Sequence, residues 1–236
     1  MNTKEFSKKL LELRNDIDDI YSKLTHEEEN DEEETEMPSK HYMGKQITLK
    51  HPAYGDILMD CIDVSRSGKE GCYLMHYAIP NIEFDAIEAA GRGSPRGNND
   101  YGDSNIRQWL NSEEGDWWYR THQFDAPPSY ANKPGFLYGF DYQSYGIVPF
   151  YIPKVGEDLF FLLSYEEVTE EIPYLTTEEG EKLLQKTTKD GVTAFWWLRS
   201  PANGITGYSR GVFLGNHGNR CAFNRLSAVA PACVIR

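Results

Sequence analysis

The residues able to do chemistry in this chain are dispersed, and that limits what the chain does. His51, His76, His122 and His217 lie far apart, and none shares a local motif with a Ser or Cys nucleophile. A Ser-His-Asp or Cys-His catalytic set is therefore not expected. G-x-S-x-G, P-loop and H-E-x-x-H patterns do not occur. Cys61, Cys72, Cys221 and Cys233 show no C-x-x-C spacing and no paired His, which argues against a bound metal. They read as free thiols of a reduced compartment, with a Cys61–Cys72 bridge across a hairpin left open. Gly91–Gly97 is glycine-rich but follows no clear strand, so it reads as a surface loop and not a phosphate cradle. The expectation is no enzyme, no cofactor and no metal.

What remains is recognition. Two apolar, strand-like blocks, Phe195–Pro201 and Ala228–Arg236, bracket a stretch of mixed polar and aromatic residues. Asn203, Tyr208, Ser209, Asn216, His217, Asn219, Arg220, Phe223, Asn224 and Arg225 lie within it. Such a mixture does not build a core, but it resembles a paratope, where Tyr, Ser, Asn and Arg carry the contacts. These ten are the candidate ligand-binding residues. Val212–Leu214 and Cys221–Phe223 are expected to pair across a Gly215–Asn219 turn, which puts His217 at the hairpin tip. Trp196, Trp197, Arg199 and Pro201 are the candidate framework. The two Trp side chains should point to opposite sides of a strand, one to the core and one to a neighbouring loop or site. The Arg199 fork is expected to satisfy buried carbonyls while stacking on a Trp, with direct ligand contact as the alternative.

These residues need elements to position them. Residues 3–25 carry Phe6, Leu10, Leu13, Ile17, Ile20 and Leu24 at heptad spacing, the seam of a coiled coil. Self-association through this helix is expected, with docking on a globular domain as the alternative. The net charge is −13, but residues 27–36 alone hold eight carboxylates and no base. Residues 26–41 read as a solvated acidic linker, or a contact for a basic partner. The remainder is only mildly acidic, so nucleic acid is not an expected partner. MNTKEFSKKL has no apolar signal core, and no span reaches membrane length, so synthesis in the cytosol without membrane insertion is expected.

From residue 42 onward the chain reads as one α+β domain. Strands are expected at Gln46–Leu49, Ile57–Val64 and Cys72–Tyr77, with a turn at Ser67–Gly71. Asp85–Ala90 is expected as a helical turn. Asp103–Asn111 is expected as a short helix capped by Asp103 or Ser104, with Ile106, Trp109 and Leu110 on one face. Trp117-Trp118-Tyr119 should add core. Leu159–Leu163 is expected as a buried strand, and Thr176–Lys186 as a second short helix opened by Thr176 or Thr177.

Four passages occur in a fixed order: Ser104–Asn111, Phe161–Val168, Trp197–Pro201 and Val229–Ala232. Over residues 45–236 the chain resembles a domain family of unknown function that shares S-x-I-R-x-W-L-N, F-L-L-S-x-E-E-V, W-L-R-S-P and a closing V-R-P-A. That family is common in gut bacteria and their phages. The resemblance implies a C-type-lectin-like fold, related to formylglycine-generating enzymes and to the variable proteins of diversity-generating retroelements. In the latter, adenine-directed mutagenesis rewrites a C-terminal repeat, and residues 202–227 carry the matching assortment of side chains. The resemblance thus implies a phage or prophage surface protein, in the virion after assembly in the bacterial cytoplasm. It would be a homo-oligomer, a trimer by that analogy. Its ligand would be a host-surface protein or glycan receptor. The alternatives are a structural virion component that binds another coat or tail protein, or an oxidase of the formylglycine-generating kind. Two departures limit the analogy. Ala230 stands where many relatives have Arg. Neither E-P-N nor W-N-D is present, so calcium-dependent sugar binding is not implied. Cys221 and Cys233 do not match the enzyme branch's Cys pair.

Overall fold

The computed structural model describes residues 40–87, 97–118 and 127–236. They lie in one compact unit, Ser39–Arg236. The seam helix expected over 3–25, the acidic run to Glu36, and His122 and Tyr119 fall outside the described residues. So does most of the Gly91–Gly97 loop.

The described part is mostly β, with two short α-helices among the described residues, an α+β arrangement. One five-stranded sheet begins with β1 (Gln46–His51), β2 (Gly55–Val64) and β3 (Gly71–Met75). It continues through β12 (Ala232–Ile235) to β5 (Ile147–Val148), in that spatial order. The second sheet runs β10 (Asn216–Cys221), β9 (Tyr208–Phe213), β8 (Trp196–Pro201), β11 (Ala228–Val229) and β4 (Ile79–Pro80). A small ribbon pairs β6 (Phe150–Ile152) with β7 (Gly156–Asp158).

Ala230-Pro231 carries the chain from β11 of one sheet to β12 of the other. Ala228, Ala230 and Ala232 are all buried there. Methyl-sized side chains let the two sheets converge at that corner, and the Pro231 carbonyl accepts the Met75 amide at 2.9 Å.

Sequence patterning placed the first three strands well, and a bulge between Cys61 and Asp63 shifts their register. Cys61 faces Tyr73 across the pair and Cys72 faces Asp63, and all four cysteines are free thiols. Helix α1 spans Asn105–Leu110, and Ser104 caps it by accepting the Arg107 amide. Helix α2 spans Glu178–Leu184, capped by Thr177. Trp117 and Trp118 are buried as expected. Residues 85–87 are not helical, against the turn expected from Asp85 onward. The Asp85 carboxylate instead accepts the amides of Asn98 and Asn105.

Leu159–Leu163 is buried and extended, but it is not the strand expected. It makes one bridge, Phe161 to Ala232. Side chains take the place of a neighbouring strand. The Asn111 carboxamide accepts the amides of Leu159 and Phe160 and donates to the Phe160 carbonyl. The Arg199 guanidinium donates to the Leu162 carbonyl at 2.6 Å. Apolar periodicity reports burial and not which groups satisfy the backbone.

Candidate functional site

The second sheet presents its terminal hairpin from a frame built by two buried ion pairs. In the first, Arg107 of α1 grips the Asp158 carboxylate through Nε at 3.0 and 3.1 Å. In the second, Arg199 of β8 forks onto Glu167, Nη1 at 2.7 Å and Nη2 at 2.5 Å. Ser164 and Glu167 form a reciprocal cap: the Glu167 carboxylate accepts the Ser164 amide, and the Ser164 hydroxyl accepts the Glu167 amide. The cap opens a helical segment at residues 165–166 that runs on into a π-helical turn, Glu167–Glu171. The Ser200 hydroxyl accepts the Tyr165 amide at 2.9 Å. The S-x-E-E and W-L-R-S-P passages are thus one hydrogen-bonded unit that clamps β8 to the Leu159–Leu163 segment. Arg199 bonds the Glu167 carboxylate and one carbonyl, not the several carbonyls expected, and among the described residues it does not stack on a Trp face. Trp196 and Trp197 do point to opposite sides, yet both are fully buried. Their indole N–H groups donate to the carbonyls of Leu184 and Ile82. The expectation that one of them faces a loop or site is corrected, because each side of β8 is covered by its own layer. Pro201 closes β8 opposite Ser209 and is exposed.

The hairpin register differs from the one expected. Phe213 pairs with Asn216, so the turn is Leu214-Gly215. Both turn residues have positive φ, 52° and 76°, as a two-residue type I′ turn demands. His217 therefore lies within β10 opposite Val212, not at the tip. The Gly215–Asn219 run looked like turn because four of its residues, two Gly and two Asn, tolerate left-handed backbone; only Gly215 uses it.

Alternation now divides the side chains between two faces. Arg210, Val212, His217 and Asn219 share one. There the Arg210 guanidinium lies 3.8 Å over the Tyr165 ring, and His217 meets that ring edge-on at 5.0 Å. Partial burial against the hairpin and the Arg210 charge hold the His217 pKa below its usual value. Ser209, Gly211, Gly218 and Arg220 share the other face. Gly211 and Gly218 are cross-strand partners, and the Phe195 ring fills the space above both. Arg220 closes this stack, 4.2 Å over Phe195. Neither Arg210 nor Arg220 has an ion-pair partner among the described residues, so the donors at their edges are open to a ligand.

The Arg210 face leads past Cys221 into a cavity of about 680 Å³, lined by Phe223, Asn224, Arg225, Ile87 and Glu83. Glu83 is buried. Its carboxylate accepts the Ser129 amide at 2.6 Å and the Ser129 hydroxyl, with Arg225 Nε 3.7 Å away.

Of the ten candidate residues, Asn203, Asn216, His217, Asn219 and Arg225 are exposed, and Tyr208, Arg220, Phe223 and Asn224 are half-buried. Ser209 is corrected: it is fully buried, its hydroxyl turned to the carbonyls of Leu198 and Ser200. The hairpin and the cavity rim bring most of the set together, while Asn203 stands apart in the turn before β9. Sequence reasoning missed Tyr165 and Arg210, which come together only through the fold, and also Phe213, Leu214 and Leu226. Leu226 is 82% exposed, and an exposed Leu in a polar run was the signal available. Among the described residues no cluster of three or more His, Cys, Asp or Glu is arranged to hold a metal ion.

No curated protein and no solved structure matches the chain. A family match covers residues 74–236, which includes every strand from β4 onward, both buried ion pairs and the hairpin. The chain belongs to the family described as a domain of unknown function, DUF6273.

Proposed function

We propose that this protein is a recognition protein whose binding face is the β9–β10 hairpin and the cavity rim that follows it. One observation carries the reading: each face of the hairpin holds a guanidinium pre-positioned on an aromatic ring, Arg210 on one and Arg220 on the other, and neither has an ion-pair partner among the described residues. Stacking fixes the side chain before a ligand arrives and so lowers the ordering cost of binding. Phe213 and Leu214 at the end of the same hairpin are exposed, as are Ile205 before it and Leu226 after it in the chain. Apolar and aromatic anchors beside Arg are the usual energetic centre of a protein interface.

The motif order supports the finer reading. On it, the domain is C-type-lectin-like and residues 202–227 are a diversified region of the retroelement variable-protein type, on a phage or prophage surface protein. Its partner is a host-surface protein or glycan receptor, or another virion protein. Residues 3–25 would supply self-association and hence avidity. Sequencing the locus across isolates tests this reading. Substitutions should gather at Arg210, Phe213, Asn216, His217, Asn219 and Phe223–Leu226, beside a near-identical template repeat and a reverse-transcriptase gene. Substitutions spread evenly over residues 40–236, without such a repeat, would refute the diversified site.

A further inference from the structure

The second sheet has two edges. The hairpin strand β10 forms one; β4 forms the other, and beside it lies a separate cavity of about 410 Å³. Its size falls within the range of small-molecule sites. Ile57, Met75 and Ile79 make its wall apolar, and Tyr54 adds an aromatic side. Charged groups at the rim are already engaged, with one exception. Lys189 donates to the carbonyls of Tyr54 and Asp56, at 2.9 and 2.6 Å. The Asp190 carboxylate takes the Thr188 hydroxyl. Lys133, half-buried at the same rim, has no hydrogen-bond or ion-pair partner for its ammonium among the described residues. Burial alone holds its pKa below the ordinary lysine value, and no carboxylate acts to restore it.

An apolar wall with a net positive rim and one ammonium without a hydrogen-bond partner among the described residues selects a ligand of the complementary kind. We propose that this cavity binds a small amphipathic monocarboxylate, its apolar body against Ile57, Met75 and Ile79 and its carboxylate on the Lys133 ammonium. A neutral ligand would leave the half-desolvated ammonium unpaired, and a cation would meet it with repulsion. Two ammoniums, Lys133 and Lys189, against one carboxylate, Asp190, leave the rim a net single positive charge, which favours a monoanion over a phosphate dianion. The site is independent of the recognition face at the other edge.

The probes are octanoate, octan-1-ol and octylamine, titrated calorimetrically into the full chain, with the Met75 methyl resonance reporting location. Octanoate should bind at least about tenfold more tightly than octan-1-ol, the margin expected of one charge-assisted hydrogen bond. It should shift the Met75 methyl signal, and octylamine should not bind. K133Q should reduce octanoate to the affinity of octan-1-ol without changing the melting temperature, while K133R should keep the preference. Should K133Q perturb folding, A78W supplies the second test by filling the cavity and abolishing the Met75 shift. Equal binding of octanoate and octan-1-ol, octanoate binding that survives K133Q, an unmoved Met75 signal, or no octanoate binding at all would each overturn the proposal.

Discussion

Gly211 illustrates how one missing side chain shapes the candidate face. A Cβ there would fall inside contact distance of the Phe195 ring and the Trp196 carbonyl, whereas at Gly218 it would sit 3.5 Å from Phe195. Gly211→Ala should therefore destabilise the domain by about 2–3 kcal/mol, the usual cost of overpacking, and Gly218→Ala by less than about 1 kcal/mol. Chemical denaturation of both variants checks the pair; equal effects would mean that Phe195 is not seated as described. Lys186 is a different case. It is buried, its Nζ has no hydrogen-bond partner among the described residues, and burial pushes its pKa down to about 7 despite the nearby Asp60. The unfolded chain, with an ordinary lysine near 10.5, binds more protons between those values, so this residue makes stability rise with pH from about 7 to 10.5. Lys186→Met should stabilise the fold by roughly 2–4 kcal/mol at pH 7 and below, and the gain should vanish by about pH 10.5. Melting temperatures of both proteins across that range test it, and a pH-independent difference would contradict it. Neither feature was legible in the sequence. A Gly in a polar run and a Lys after a helix both look like surface until tertiary neighbours are known.

At the scale of elements, sequence was informative where local rules decide. Alternation located β1 to β3, and Ser104 and Thr177 were recognisable caps. It failed where a distant group decides. The Leu159–Leu163 segment looks like a strand because it is apolar, yet Asn111 and Arg199 take its backbone groups. The hairpin centre was placed three residues too far along the chain because Leu214 is a poor candidate for positive φ. That error matters most for His217, which is exposed within β10 beside Tyr165 and Arg210 and does not sit at the tip. The Arg199–Glu167 pair joins two of the passages that carried the family resemblance, and both side chains are largely buried. Arg199→Met would leave the Glu167 carboxylate buried without its partner and should cost about 3–5 kcal/mol. Thermal denaturation measures it. A loss within about 1 kcal/mol would mean that the pair is not what clamps β8.

For the molecule as a whole, the α+β class was readable from composition and patterning, but the sheet order was not. β12 enters between β3 and β5, and β11 runs parallel beside β8. These pairings join distant parts of the chain, and no local signal encodes them. The consequence for function is a division of labour. The terminal strands lock both sheets together through the buried Ala228–Ala232 corner, while the hairpin just before it keeps most of its side chains outside. The central claim is that this frame tolerates nearly arbitrary side chains on the proposed recognition face. Randomising each position from 202 to 227 in a displayed library, with protease resistance as the readout of folding, measures this without a ligand. The account predicts tolerance at Asn203, Phe213, Asn216, His217, Asn219, Arg225 and Leu226, and intolerance at Ser209, Gly211, Val212 and Ala222. Intolerance spread evenly along the whole segment would contradict it.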